Sequence, residues 1–138
     1  MKLMVMDGQG GGIGSTIIKG IRKSVGNDIM ILALGTNSIA TSGMMKAGAN
    51  KGGTGENAII QTCKKVNFII GPVSILFANS MMGEVTPLMA SAVSTSKAKK
   101  LLIPLTQEEV CIVGITKEPL PHLVDQVISL IKEEFSNV

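Results

Sequence analysis

A chain of 138 residues, 45% apolar and 17% charged, carries enough hydrophobic material for one α/β core and too little length for two, which excludes a disordered segment and a multidomain enzyme. The formal charge is only +3, the lysines are scattered apart from Lys97, Lys99 and Lys100, and there is no Trp or Tyr, so nucleic acid finds almost no surface on which to stack and is not expected as a partner. The longest nearly apolar stretch, Phe68 to Ala78, is interrupted by Gly71, Pro72 and Ser74 and is too short to span a bilayer.

Lys2 to Met6 is predicted as the first strand, apolar on both faces as a central parallel strand should be. Asp7 ends the run before a signal-peptide core can form, and a cytoplasmic protein is expected. The next stretch is Asp7-Gly8-Gln9-Gly10-Gly11-Gly12-Ile13-Gly14, and it opens a helical pattern with Ile13, Ile17, Ile18, Ile21 and Val25 on one stripe. Strand, glycine turn and helix together outline a phosphate site. Glycine lets the backbone approach a ligand, and the unpaired N–H groups of a helix start attract an anion. The phosphates are therefore expected on Gly8, Gly10, Gly11, Gly12, Ile13, Gly14 and Ser15. Asp7 has two readings: it holds the turn through an Asx-type bond, or it binds a ribose or Mg²⁺ and is a catalytic candidate.

The spacing G-x-x-x-G-x-G over Gly8, Gly12 and Gly14 resembles the cofactor loop of the short-chain dehydrogenase/reductase family, in which Gly-Ile-Gly opens the first helix; the likeness covers residues 1–25. It implies NAD or NADP as a cofactor. The Tyr-x-x-x-Lys acid of that family cannot exist in a chain without tyrosine, so the resemblance extends to the cradle and not to the reaction. A Walker-type loop is excluded by the absence of any Gly-Lys dipeptide.

After Gly26-Asn27-Asp28 a second strand is predicted over Ile29 to Leu34, at the spacing of a βαβ unit. Gly35-Thr36-Asn37-Ser38 then stands where dinucleotide domains carry a charged selector for the ribose. Thr36 and Asn37 are the expected ribose contacts, and their neutrality predicts discrimination within roughly tenfold between a 2′-hydroxyl and a 2′-phosphate. Ile39 to Ala49 reads as a weak helix. The glycine cluster Gly48, Gly52, Gly53 and Gly55 reads either as a flexible connection or as a second ligand-facing loop, with Thr54 as the N-cap of a helix through Ile59, Ile60 and Cys63. Glu56, in that helix start, is a second catalytic candidate.

Val66 to Leu76 is the third strand region and ends in Gly71-Pro72-Val73-Ser74, where Pro72 breaks the ladder at the edge that ligands of open α/β sheets use. Gly71, Pro72 and Ser74 are therefore expected on the far side of the crevice. Asn79 to Glu84 is a polar and methionine-rich loop, and Glu84, like Glu56, lies within reach of a substrate. A helix over Pro87 to Val93 with Thr86 as cap follows, then strands over Lys99 to Leu105 and Val110 to Ile115, then a last helix after Pro119 and Pro121. His122, beside Pro121, reads as a surface or capping histidine more readily than as a base. Cys63 and Cys111 fit no metal or redox spacing and read as reduced and buried; with one His, no metal site is expected.

Two wider resemblances have their residues in view. The glycine turn with Ala33-Leu34-Gly35-Thr36-Asn37, Thr54-Gly55-Glu56-Asn57 and Asn79-Ser80-Met81-Met82-Gly83-Glu84 resembles a small bacterial family, common in clostridia, of unassigned function; this implies a Rossmann-like fold. Ile70-Gly71-Pro72-Val73-Ser74 with Ser94 to Lys100 is similar to a segment of phospholactate transferases and gluconeogenesis-factor proteins, which implies a nucleotide-linked ligand; Val73 stands where those show Gly.

The combined expectation is a three-layer, Rossmann-like α/β domain over residues 1–138 with a mainly parallel sheet, binding a small-molecule nucleotide or dinucleotide. Two alternatives stay open: a non-catalytic, nucleotide-responsive regulatory subunit, and a small Mg-dependent phosphotransferase or hydrolase using Asp7 or Glu56. The high apolar fraction in so short a chain predicts a homo-oligomer.

Overall fold

The computed structural model of the chain describes residues 1–136. Five parallel strands, β1 (Lys2–Asp7), β2 (Met30–Gly35), β3 (Lys51–Thr54), β4 (Phe68–Pro72) and β5 (Lys99–Ile103), form one sheet in the order β3-β2-β1-β4-β5. Five helices connect or follow them: α1 (Gly12–Val25), α2 (Ser38–Lys46), α3 (Glu56–Thr62), α4 (Pro87–Thr95) and α5 (Leu120–Ser136), with a single 3-10 turn over Val73–Leu76 after β4.

The alternation of side chains along β1 divides the core. Leu3 and Val5 point into a layer built from α1, α2 and α5, with Ile17, Ile21, Met44, Val124 and Ile128 among its members. Met4 and Met6 point into the opposite layer, where Ile59 of α3 and Met89 and Val93 of α4 meet them. A strand covered on both faces has no solvent side to mark with polar residues, which is why Leu3 to Met6 is an unbroken apolar run. The three-layer α/β class is thus the observed one, and the sheet is parallel throughout.

Three local expectations change. Lys51–Thr54 is neither a flexible connection nor a ligand loop but the edge strand β3, paired with Leu32 to Gly35. Its glycines let helices pack closely, since a Cβ on Gly52 would press on Thr41 and Met45 of α2. The N-cap of α3 is Gly55, not Thr54, whose hydroxyl instead pairs with that of Thr41 at 2.8 Å. Finally, Val110 to Ile115 forms no strand: periodicity is a local signal, whereas a strand needs a neighbour to pair with, and this β-branched run finds none in the sheet. It stands exposed, and Cys111 with it, so only Cys63 of the two thiols is buried.

The strand order reverses at β1. From β1 the chain builds outward to β2 and β3, then crosses back to place β4 and β5 on the other side. The carboxyl ends of β1 and β4 therefore diverge into loops on opposite faces and leave a crevice between them, the usual ligand position in open α/β sheets.

Candidate functional site

β1 ends at Asp7, whose side chain is buried beneath the glycine turn. Its Oδ1 accepts the N–H of Gly8 and its Oδ2 that of Gly14, each at 2.8 Å, while the Gly11 N–H closes the turn onto the Gly8 carbonyl at 2.9 Å. Gly11 is left-handed at φ 72°, a conformation that L side chains rarely adopt, and it leads directly into α1. Burial raises the Asp7 carboxyl above its ordinary value; the N–H groups of Gly14, Gly8 and Ile13 pull it back in part, and the Glu84 charge adds to the rise. Of its two readings, the turn-holding one is visible in these bonds.

The remaining glycines of the turn fall into two kinds. A Cβ on Gly8 would strike the Thr36 hydroxyl, the Met81 sulfur and the Glu84 carboxylate, and one on Gly14 would meet Met44 and lie 3.0 Å from the Asp7 Cβ. These two are required by packing. Gly10 and Gly12 have nothing within 4 Å of a Cβ position and face open space. The backbone donors divide similarly. Gly11 and Ser15 donate to the carbonyls of Gly8 and Gly11, Gly14 donates to Asp7, and Ile13 is drawn toward Asp7 as well. Among the described residues, the N–H groups of Gly10 and Gly12 have no acceptor. Ser15 also faces away from the crevice, its hydroxyl lying against Gly43 of α2.

The crevice itself holds about 520 Å³. β1, the glycine turn and α1 supply Asp7, Gln9 and Ile13; β4 and its following turn supply Pro72 and Ser74; the rest comes from the segments 79–82 and 105–108. Ser74 and Thr106 share a hydroxyl bond at 2.6 Å, and the Glu108 carboxylate accepts the Met81 N–H at 2.9 Å. Among the described residues the lining carries two acids, Asp7 and Glu108, and no Lys, Arg or His. Gly71 lies just behind it for a structural reason, because a Cβ there would run into the Met6 carbonyl of β1. A hollow of about 540 Å³ between α3 and α4 is comparable in size, but Val66 and Ala98 put it at the amino ends of β4 and β5, the edge that parallel sheets do not use for ligands.

Thr36 and Asn37 do not line the crevice; they stand beside the turn and are already engaged. The Glu84 Oε1 accepts from the Thr36 hydroxyl at 2.6 Å, the Gln9 N–H at 2.7 Å and the Asn37 amide at 2.9 Å. Partial burial works to raise the Glu84 carboxyl, yet the bonds from Thr36, Gln9 and Asn37 together hold it below its ordinary value. Asn37 also caps α2, its Oδ1 accepting the Ala40 N–H at 2.9 Å. The other catalytic candidate, Glu56, is directed elsewhere: its Oε2 accepts the hydroxyl of Thr86, the N-cap of α4, at 2.5 Å. His122 is exposed on the first turn of α5 and is not part of the crevice.

Sequence reasoning reached Asp7, the turn, Pro72 and Ser74, and it noted Glu84 as reachable without finding its partners. It missed Thr106 and Glu108, which fall between two expected strands, and only the run Thr106-Gln107-Glu108-Glu109 directly after an apolar strand marks them.

The family model described as "Domain of unknown function (DUF3842)" matches residues 2–136. No curated protein matches the chain. Among solved structures, the chain is similar to a dodecameric FMN-dependent Ubix-like decarboxylase from Escherichia coli O157:H7, with 13% identity and a TM-score of 0.46, over 99% of this chain and 94% of that one.

Proposed function

The chain belongs to the DUF3842 family, whose description names no activity, and we propose from its geometry that it binds a nucleotide or dinucleotide at the β1–β4 crevice. The observation that supports this reading is the pair Gly10 and Gly12 beside the crevice: two backbone N–H groups without acceptors, at the positive end of a 14-residue helix, with clear space above them and Gly10 opening onto an adjoining hollow against Ser38, Gly43 and Lys46 of α2. A phosphate sits there, the rest of the ligand runs toward Pro72 and Ser74, and the ribose lies toward Thr36 and Asn37. NAD and NADP are the cofactors to test first. The crevice lining offers no cation among the described residues, but Lys46 shares the hollow at Gly10, so the phosphate charge is met by the helix end with Lys46 beside it, and the affinity is modest and rises with Mg²⁺.

Binding without turnover is favoured over a phosphotransferase or hydrolase. Both Asp7 oxygens are committed to the turn and Glu56 is committed to Thr86, so neither catalytic candidate is free to act as a base. A regulatory subunit that senses a nucleotide is the form of the function this supports. The same reading makes the protein a cytoplasmic homo-oligomer. Two unpaired thiols suit a reducing compartment, and the exposed Val110, Ile112, Val113 and Ile115 suit a face covered by another copy. Among the described residues no helix is long and apolar enough to cross a membrane.

Native mass spectrometry of the purified protein for a carried-over ligand, followed by calorimetry with ADP, NAD, NADP and a nucleotide sugar, tests the reading. Binding of at least one of these, with no product formed in the presence of Mg²⁺, is expected. No binding by any of them sinks the nucleotide assignment, and Mg²⁺-dependent turnover sinks the regulatory one.

A further inference from the structure

Three donors converge on one oxygen beside the glycine turn, and each is held by the fold independently of what it bonds. The Gln9 N–H is presented by the closed turn from Gly8 to Gly11. The Thr36 backbone, and with it the place of its hydroxyl beside the turn, is fixed by its own N–H, which donates to the Asp7 carbonyl at 3.1 Å. The Asn37 amide cannot flip without losing the cap of α2, so its N–H side is committed to Gln9 and Glu84. Three preset donors aimed at one point make a cradle for an oxygen that bears negative charge.

The present occupant, Glu84 Oε1, is brought in from outside the turn by the loop after β4, whose shape is kept by bonds such as the Glu84 N–H to the Met81 carbonyl and the Val85 N–H to the Ser80 carbonyl. It ends a tight loop in which Asn79, Met81 and Met82 take left-handed φ of 66°, 56° and 56°, a conformation costly for residues with side chains, and Met82 is 95% exposed. The same loop walls the crevice through Asn79, Met81 and Met82. We propose that Gln9, Thr36 and Asn37 form an oxyanion subsite beside the crevice, for a phosphate or carboxylate oxygen, and that Glu84 is an internal stand-in that such an oxygen has to displace. The proposal deepens the reading of the crevice as a nucleotide site and rests on it for the ligand, though not for the cradle.

Displacement exchanges one anion for another on the same three donors, so removing the internal one must favour the external one. The test uses the full ¹⁵N-labelled chain as wild type, Glu84→Ala and Glu84→Gln, titrated separately with acetate and with inorganic pyrophosphate while the Gln9 backbone and Asn37 side-chain amides are followed. In Glu84→Ala these signals are expected to shift saturably, at concentrations about tenfold or more below any wild-type response, since a like charge has left the site. Glu84→Gln keeps the shape and loses the charge, so it shifts in the same direction with a smaller gain; if the alanine variant does not fold, it decides alone. Response to acetate only identifies a carboxylate ligand, and response to pyrophosphate only identifies a phosphate. Equal titration of variant and wild type, or no shift at Gln9 and Asn37 in a folded variant, overturns the proposal. If Gln9 and Asn37 respond while Gly10 and Gly12 stay unmoved by pyrophosphate, the cradle stands and the phosphate position at the start of α1 falls.

Discussion

The Asp7 carboxylate holds Gly14, seven positions further on, by a 2.8 Å bond to its N–H, while its other oxygen holds the N–H of the adjacent Gly8. One buried side chain therefore fixes both ends of the glycine turn and the start of α1. Asparagine can replace only one of these acceptors, because its second position is itself a donor. Asp7→Asn is expected to lower stability by about 1–3 kcal/mol, the cost of a buried N–H left without a partner. Urea denaturation measures this, and an unchanged midpoint would mean that the turn holds itself.

The two kinds of glycine predict opposite phenotypes from the same substitution. Gly14→Val drives a side chain into Met44 and the Asp7 Cβ and should cost roughly 1–3 kcal/mol by overpacking. Gly12→Val places its side chain in open space and should leave the circular dichroism spectrum and the melting temperature nearly unchanged. It blocks the approach of a phosphate to the helix end, so ADP or NAD binding should be lost. Retained affinity in this folded variant would falsify the phosphate position.

Asp7 and Glu84 impose opposite pH slopes on stability. The Asp7 carboxyl is raised in the fold, so the stability linked to it is fully present below its ordinary value of 3.8 and is lost as pH rises through the folded value. The Glu84 carboxyl is lowered, so its contribution is present above its ordinary value of 4.5 and is lost as pH falls through the folded value. Denaturant midpoints taken between pH 7 and pH 3 should therefore fall less steeply at the acid end in Glu84→Gln than in wild type. Parallel curves for the two proteins would remove Glu84 from the acid response.

How much of this was legible before the fold was known follows from the range of each interaction. The β1 run, the turn and α1 were readable because they are consecutive, and so was the Thr86 cap of α4, whose hydroxyl takes the Met89 N–H three positions later at 3.1 Å. Lys51–Thr54 was not readable, since two glycines in a four-residue edge strand carry no periodicity and the strand exists through its pairing with β2. Val110 to Ile115 failed in the opposite way, with strand-forming residues and no strand to pair with. Glu84 meets Gln9 across a separation of 75 positions and Thr36 across 48. Only the strand order, which brings the loops after β1, β2 and β4 to one edge, places those residues together.

That unpaired run supports a prediction about assembly. Val113 is 94% exposed, and Ile112, Ile115 and Leu130 surround a cleft of about 450 Å³ against β5, the strand at the open edge of the sheet. Light scattering at micromolar concentration should give a dimer or larger species, and Val113→Asp, which adds a charge where the monomer has no contact to lose, should shift the mass toward monomer without lowering secondary structure. A wild-type monomer at that concentration would contradict the expectation of a homo-oligomer.

The last prediction concerns which nucleotide is preferred, and it departs from what Thr36 and Asn37 suggest in isolation. As neutral groups they accept a ribose hydroxyl or its phosphate with little distinction. In the fold, however, both donate to Glu84, which brings a carboxylate to the end of β2 from the loop after β4. A 2′-phosphate arriving there has to displace that carboxylate or sit beside it, whereas a hydroxyl can donate to Glu84 Oε2, which takes no bond among the described residues. Two like charges about 6 Å apart at an effective dielectric of about 40 repel by about 1.4 kcal/mol, which is a factor of about ten in affinity. NAD should therefore bind at least about tenfold more tightly than NADP, and Glu84→Gln should close most of the gap by improving NADP binding and leaving NAD little changed. Competition titrations of the two proteins with both dinucleotides decide it: equal affinities in the wild type, or a preference for NAD that survives in Glu84→Gln, would show that Glu84 is not the selecting residue.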